Sequence, residues 1–313
     1  MRILLTGGSS FTGCWIARKL AEAGHDVVAT FTRGSYEAYA SDLSAERVDF
    51  IRECVQPIFN CSFGSDEMLS YLEENRIDLI FMHGAYVANH RASDFPVLEA
   101  VSSNTFRLDQ VLDLAMSKGL KAVISTGSYF EADTGEGENQ RAFSPYALSK
   151  TLTWQIVRYA CEVRALNLGK FVLPNPFGPM EKGGFTSYLM RSWASAKVPT
   201  VQTPAYGRDN VPVDLLADAA VRFSTEVLAS KGCIKVFEAS GFRMKQGDFA
   251  KTFASNLSPY LSVDCDLVLV DQIDFSEPRE RYNRNDLRAY CPDWSEAQFW
   301  KDLAMWYQAT LSV

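Results

Sequence analysis

The sequence has no excess of positive charge: 31 Lys and Arg stand against 38 Asp and Glu, for a formal net charge of −7. Neutralising a nucleic-acid backbone requires a basic face, so nonspecific nucleic-acid binding is not expected. A small anionic ligand needs only a few local cations and is not excluded. Cysteine supplies no framework either. The seven residues (14, 54, 61, 161, 233, 265 and 291) are odd in number, and none stands in CxxC or Cys/His spacing. That arithmetic predicts neither a metal site nor a disulfide scaffold, but buried free thiols in a reducing compartment. Every apolar run is too short to cross a bilayer, and Met1-Arg2-Ile3-Leu4-Leu5-Thr6 lacks the pattern of a secretory leader. A cytoplasmic protein with neither membrane nor nucleic-acid partner is expected. Internal repeats and low-complexity tracts are also lacking.

What is present is 47% hydrophobic residues in 313, ample for a core. Short apolar runs alternate with amphipathic stretches, the pattern of βαβ units. Strands are predicted at Arg2 to Thr6, Val27 to Thr30, Leu79 to Met82, Ala122 to Ser125 and Phe171 to Leu173. Helices are predicted over Thr12 to Ala23, Leu98 to Ser117, and from Pro145 to about Ala165. Gly24 and Gly119 fall where helices should stop. Beyond Pro174 the texture changes, with Pro176, Gly178, Pro179, Gly183 and Gly184 clustered. The expected fold is α/β: a Rossmann-type doubly wound parallel sheet over residues 1–174. A smaller α+β substrate domain is expected over 175–313, with room for part of it to return to the first.

Between the first strand and first helix lies Thr6-Gly7-Gly8-Ser9-Ser10-Phe11-Thr12-Gly13. Such a turn brings backbone N–H groups and a helix N-terminus to a pyrophosphate. Gly7, Ser9, Ser10, Phe11, Thr12 and Gly13 are therefore cofactor-binding candidates. The loop resembles the TGGxGFxG of the extended short-chain dehydrogenase/reductase family, with Ser10 in place of the middle glycine. Dinucleotide folds place an acidic residue at the end of the second strand to bind the ribose hydroxyls of NAD. Here Ala29-Thr30-Phe31-Thr32-Arg33-Gly34-Ser35 contains no carboxylate. Thr32 and Arg33, with Ser35, suit a 2′-phosphate instead. NADP(H) is favoured as cofactor and NAD(H) remains the alternative. Asp78-Leu79-Ile80-Phe81-Met82-His83-Gly84-Ala85 resembles the family's DxVxHxAA, which makes Ala85 a cofactor-lining position and His83 a structural residue. Asn104 resembles a helix-borne, structural Asn of the family.

Tyr146-Ala147-Leu148-Ser149-Lys150 follows Ser144-Pro145, and Pro145 suits a first helical turn. The i, i+4 spacing puts Tyr146 and Lys150 on one helix face. A free tyrosine titrates near ~10, and a nearby ammonium is expected to lower that value and make Tyr146 an acid/base. Lys150 is also expected to reach the nicotinamide ribose. Val123-Ile124-Ser125-Thr126-Gly127-Ser128-Tyr129-Phe130 resembles the family's S[ST]xxVY segment, which implies Thr126 as the catalytic hydroxyl, Ser125 and Ser128 being the alternatives. Dehydratases of the family follow that residue with Asp-Glu. Gly127-Ser128 stands there instead, so dehydration is not expected.

Leu173-Pro174-Asn175-Pro176-Phe177-Gly178-Pro179 resembles the family's N-x-x-GP, implying that Asn175 binds substrate. Arg208-Asp209-Asn210-Val211-Pro212-Val213-Asp214 resembles RDFIHVDD, implying that Arg208 contacts a nucleotide diphosphate. Otherwise Arg208 forms an ion pair with Asp209 or Asp214. Two positions depart from the family: Pro212 replaces a His and Val172 an Arg. Ser128 and Arg281 complete the substrate candidates. The resemblance, strongest over residues 1–215, implies an NADP(H)-dependent enzyme that reduces the 4-keto group of a nucleotide-activated sugar. The alternatives are a nucleotide-sugar 4-epimerase that retains its cofactor, or a reductase of another carbonyl. A homodimer is implied as well.

Overall fold

The computed structural model describes residues 1–40, 43–137 and 141–311. They form two compact units, one of Met1–Thr134, Arg141–Leu173 and Ala217–Glu238, the other of Gly135–Gln140, Pro174–Leu216 and Ala239–Val313. The segment Ala217–Glu238 thus belongs to the first unit, although it lies far along the chain.

In chain order the elements begin with β1 (Arg2–Leu5), α1 (Phe11–Glu22), β2 (Asp26–Thr30), α2 (Leu43–Ile51), β3 (Gln56–Ile58) and α3 (Asp66–Glu74). Then come β4 (Leu79–Met82), α4 (Val97–Asn104), α5 (Leu108–Ser117), β5 (Ala122–Ser128), α6 (Pro145–Glu162) and β6 (Asn167–Leu173). They continue as β7 (Asn175–Phe177), α7 (Phe185–Ala194), β8 (Thr200–Val201), β9 (Gly207–Pro212), α8 (Val213–Ala229) and β10 (Ile234–Ser240). The last are β11 (Phe242–Lys245), α9 (Gln246–Leu257), β12 (Val268–Leu269), β13 (Asn285–Asp286), α10 (Leu287–Tyr290) and α11 (Glu296–Leu311).

The main sheet has eight strands in the order β13-β10-β6-β5-β4-β1-β2-β3, all neighbours parallel. Its central strands are buried throughout β4 and nearly so in β1 and β5. Continuous apolar runs are what parallel strands covered on both faces require. The order reverses between β1 and β4, because β1 pairs with β2 on one side and β4 on the other. Ligands of open α/β sheets bind at the carboxyl ends beside such a reversal. The loop after β1 and the ends of β4 and β5 therefore mark the place to look. Close packing holds α8 against β6: a Cβ on Gly169 would lie 2.7 Å from Val227 and 2.8 Å from Phe223.

Two features differ from the sequence expectation. The helix expected over Leu98 to Ser117 is broken into α4 and α5 at Thr105–Arg107, where Arg107 takes a left-handed φ of +49°. Nothing in the sequence breaks there; the Phe106 carbonyl lies close against Gly64, where a Cβ would collide with it. Strand β3 and helices α2 and α3 were not expected at all. β3 has three residues, one of them Pro57, and Pro is tolerated only at a sheet edge. Ser65 followed by Asp66 and Glu67 was a readable start signal for α3.

The second unit holds a three-stranded sheet, β11 antiparallel to β9 and β7 parallel to it. Its core is aromatic: Phe177 packs within 5.2–6.1 Å of Phe249, Phe299, Trp300, Phe242 and Phe253. All seven cysteines are free thiols. Cys14, Cys61, Cys161 and Cys291 are buried, Cys54 and Cys265 half-buried, and Cys233 exposed. Burial pushes the Cys14 and Cys161 thiols up to about 12 and that of Cys61 to about 11, which makes them poor nucleophiles. Among the described residues no helix is long and apolar enough to cross a membrane.

Candidate active site

The glycine loop is built against the end of β4. Gly7 has a φ of +77°, and a Cβ there would stand 2.8 Å from the Cα of Gly84. A Cβ on Gly13 would collide with the carbonyl of Gly7, the hydroxyl of Ser10 and, at 3.0 Å, the ring of His83. Ser10 occupies the position of the family's middle glycine as a helix N-cap. Its hydroxyl donates to the Gly7 carbonyl at 2.8 Å and accepts from the Gly13 N–H at 3.1 Å. Phe11 and Thr12 open α1, and Ser9 and Ala85 are half-buried beside this turn. A cradle closed to any Cβ at Gly7 and Gly13, with the α1 N-terminus open to it, fits a dinucleotide pyrophosphate.

At the end of β2, Thr32 and Arg33 are exposed. The Arg33 guanidinium lies 4.6 Å from the centre of the Tyr39 ring and donates to the Ala38 carbonyl at 2.7 Å. No carboxylate stands from Ala29 to Ser35 in the sequence, although the Glu37 carboxylate hydrogen-bonds the Ser35 side chain.

Thr126 is buried near the end of β5, and Lys150 is buried on α6. The Lys150 ammonium donates to the Thr126 carbonyl at 2.6 Å. Tyr146 sits one turn earlier on the same helix, half-buried, with His90 and Phe95 edge-on to its ring at 5.6 and 5.8 Å. Ser144 caps α6 by accepting from the Ala147 N–H, with Pro145 in the first turn. The electrostatics correct one expectation. Burial, reinforced by the charge of Glu131, holds the Tyr146 phenol above its ordinary value rather than below it. Burial lowers the Lys150 ammonium, with Glu131 opposing and Lys170 adding to the effect.

His83 spans the two halves of this region. One ring nitrogen, Nε2, lies 2.9 Å from the Thr12 hydroxyl, and Nδ1 lies 3.1 Å from the Thr126 hydroxyl. Burial, with Lys150 nearby, depresses its value to about 3, so the ring is neutral. Asn104 links the loop after β4 to α6, accepting from the Tyr86 N–H at 2.8 Å and donating to Thr153 at 3.3 Å.

Behind β5 lies a buried ion pair that the sequence reading passed over. Lys170 on β6 meets Glu131 at 2.6 Å, and Glu131 also accepts from the Ser128 N–H at 2.7 Å. The glycine at 127 follows from this pair: a Cβ there would stand 2.9 Å from Lys170 and 3.2 Å from Glu131. Lys170 precedes Val172 by two residues on the same strand face, so a cation remains on that face although Val172 departs from the family pattern. Ser128 is half-buried and its hydroxyl accepts from the Phe130 N–H, while Ser125 is buried.

The second unit carries the remaining candidates. Asn175 begins β7, half-buried. Arg208 is buried, and its acidic partner is Glu277 at 2.8 Å, neither Asp209 nor Asp214. Asp209 accepts the N–H groups of Gly241 and Asn283, and Asp214 accepts from Trp294. The Arg208 guanidinium also donates to the Gly207 and Pro278 carbonyls and lies 4.3 Å from the centre of the Tyr206 ring. Arg281 is buried, and its N–H pairs with the Gly207 carbonyl, beside Arg208.

A model of the NAD dependent epimerase/dehydratase family matches residues 3–232. A UDP-glucose 4-epimerase of Mycolicibacterium smegmatis is 24% identical over 235 residues, 71% of this chain and 72% of its own. Two solved structures share the fold. The UDP-glucose 4-epimerase of Thermotoga maritima with UDP-glucose superposes with a TM-score of 0.75 at 17% identity, covering 99% of this chain and 100% of that one. The UDP-glucuronic acid 4-epimerase of Bacillus cereus with UDP-glucuronic acid and NAD gives 0.73 at 16%, with the same coverage.

Proposed function

The chain belongs to the NAD-dependent epimerase/dehydratase family of enzymes, and we propose that it reduces the 4-keto group of a nucleotide-activated sugar with NADPH. The observation that carries this reading is the placement of Tyr146 and Lys150 one turn apart on α6, with Lys150 bonded to the Thr126 carbonyl of β5. The Tyr146 phenol, held above its ordinary value by burial and by Glu131, carries the proton that a carbonyl oxygen would take. Thr126 places a second hydroxyl at the end of the neighbouring strand, to donate to the same oxygen as charge develops on it. Lys150, bound to the Thr126 carbonyl, holds α6 to β5 and so keeps the two hydroxyls in register. The glycine loop, with Gly7, Ser9, Ser10, Phe11, Thr12 and Gly13, would hold the dinucleotide, and Ala85 would line it. When bound, the nicotinamide supplies the hydride. Thr32 and Arg33 would take the 2′-phosphate, since no carboxylate stands from Ala29 to Ser35. Ser128, Asn175, Arg208 and Arg281 are the substrate residues in this reading; a diphosphate would compete with Glu277 for the Arg208 guanidinium.

A second reading, 4-epimerisation with retained cofactor, is favoured by the names of the relatives. One experiment divides the two. Given a nucleotide 4-ketosugar, the reductase consumes one NADPH per product; an epimerase interconverts nucleotide sugars with no net change in absorbance at the NADPH band. Arg33→Ala should weaken NADP(H) at least about tenfold and leave NAD(H) unaffected, as loss of one charge-assisted contact implies. Equal loss of both would refute the NADP(H) assignment. The homodimer reading rests on α6, which exposes Leu148, Ile156 and Tyr159, and on its C-cap residue Val163, also exposed. Apolar residues recurring at such spacing form a stripe suited to a second helix pair. Sedimentation that finds a monomer at micromolar concentration would refute it.

A further inference from the structure

His83 is buried, and its position links the glycine loop to the end of β5. The ring stands between a hydroxyl of the cofactor loop, Thr12, and the hydroxyl of Thr126, at 2.9 and 3.1 Å. Its backbone is fixed equally firmly: the N–H groups of His83 and Gly84 both donate to the Thr6 hydroxyl, at 2.9 and 2.8 Å. Gly13 leaves the space that its ring edge fills.

A neutral imidazole carries one proton, so only two arrangements of this chain are available. In one, Thr126 donates to Nδ1 and Nε2–H donates to Thr12. Thr126 has then spent its only proton and can offer a substrate oxygen nothing. In the other, Thr12 donates to Nε2, Nδ1–H donates to Thr126, and the Thr126 proton is free to point at substrate. We propose that His83 is a positioning residue, held as the Nδ1–H tautomer by Thr12 so that Thr126 keeps its hydroxyl proton for the substrate oxygen. The inference rests on the reading of Thr126 as the catalytic hydroxyl. It makes the first turn of α1 part of the catalytic apparatus as well as of the cofactor cradle. Burial, with Lys150 nearby, holds its value near 3, so the ring is neutral near pH 7.

The test is the ring itself. The chain has three histidines, so two-bond proton–nitrogen correlation of ¹⁵N-labelled protein resolves three rings. The spectra of His25→Gln and His90→Gln assign the remaining ring to His83. The expected pattern is a neutral ring with its proton on Nδ1. A proton on Nε2, or an imidazolium, overturns the proposal. Thr12→Val should move the proton to Nε2 and Thr12→Ser should return it to Nδ1; an unchanged ring in Thr12→Val also overturns it. In turnover, His83→Asn can place an amide N–H where Nδ1–H stood and should stay within about tenfold of wild type. His83→Leu should lower kcat about 100-fold, with the sugar KM little changed, as misplacing one donor does. A Thr126→Val enzyme of full activity would refute the catalytic reading and the inference resting on it. An inactive Thr126→Val together with an Nε2–H ring in the wild-type protein would refute the inference alone.

Discussion

Removing Lys170 should cost the protein far more than removing any surface lysine. Its ammonium meets the Glu131 carboxylate at 2.6 Å, with side-chain exposures of 5% and 1%. At that distance and an effective dielectric of 20, the gross attraction is about 6 kcal/mol. Desolvating both ions offsets much of it, so the pair's net contribution is small, yet Lys170→Met strips the partner from a carboxylate that stays buried. The cost of breaking such a pair is about 3–5 kcal/mol. At about 2–4 °C per kcal/mol for a chain segment of this size, Tm should fall by roughly 6–20 °C. Urea unfolding of Lys170→Met, Glu131→Gln and the double variant measures this directly. The double variant should be less destabilised than the two singles added together, with a coupling of at least about 2 kcal/mol. Singles that cost under about 1 kcal/mol each, or that simply add, would mean the pair behaves as an exposed one and the reasoning is wrong.

Three further outcomes follow from the same geometry. Gly7→Ala should lose about 1–3 kcal/mol of stability, because its φ of +77° is strained for Ala and the new Cβ meets Gly84; a neutral result in thermal unfolding would show that the loop moves aside. Ser10→Ala should cost about 1 kcal/mol through its lost cap, and Ser10→Gly less, also read by urea unfolding; the reverse ranking would refute the capping role. Asp209 has a value raised to about 6 by burial, so the folded state holds its proton more tightly than the unfolded chain. Its contribution is present below pH 4 and is lost as pH rises through about 6, so wild type should lose up to about 3 kcal/mol relative to Asp209→Asn between pH 4 and 7; parallel stability curves would contradict this.

Much of the fold was legible in local pattern. The apolar runs of β1, β4 and the first half of β5 are strands because a parallel sheet covered on both faces demands uninterrupted burial. Of β6 only Phe171 to Leu173 was legible, because Asn167 and Lys170 interrupt its run. The Ser144-Pro145 start of α6 and the strand–glycine–helix arrangement at Gly7 are equally local, so the sequence alone led to the dinucleotide cradle and to the Tyr146–Lys150 helix face. Spacing on a helix is a property of the helix, and needs no partner to be read.

What depends on partners from distant chain positions was not legible. The break between α4 and α5 falls where the Phe106 carbonyl packs against Gly64, some forty residues away. Tyr146 was expected to be acidified by Lys150. The fold instead buries the phenol, with the charge of Glu131 adding to the effect, which reverses the direction. Gly127 read as a missing dehydratase acid, and packing shows it as the space that the Glu131–Lys170 pair occupies. Composition and periodicity thus determined which elements form and which faces they bury, because those are short-range properties of the chain. The protonation of Tyr146, the partner of Arg208 and the hydroxyl-to-hydroxyl bridge through His83 were decided by tertiary structure alone, because burial and charge at a point depend on everything packed around it.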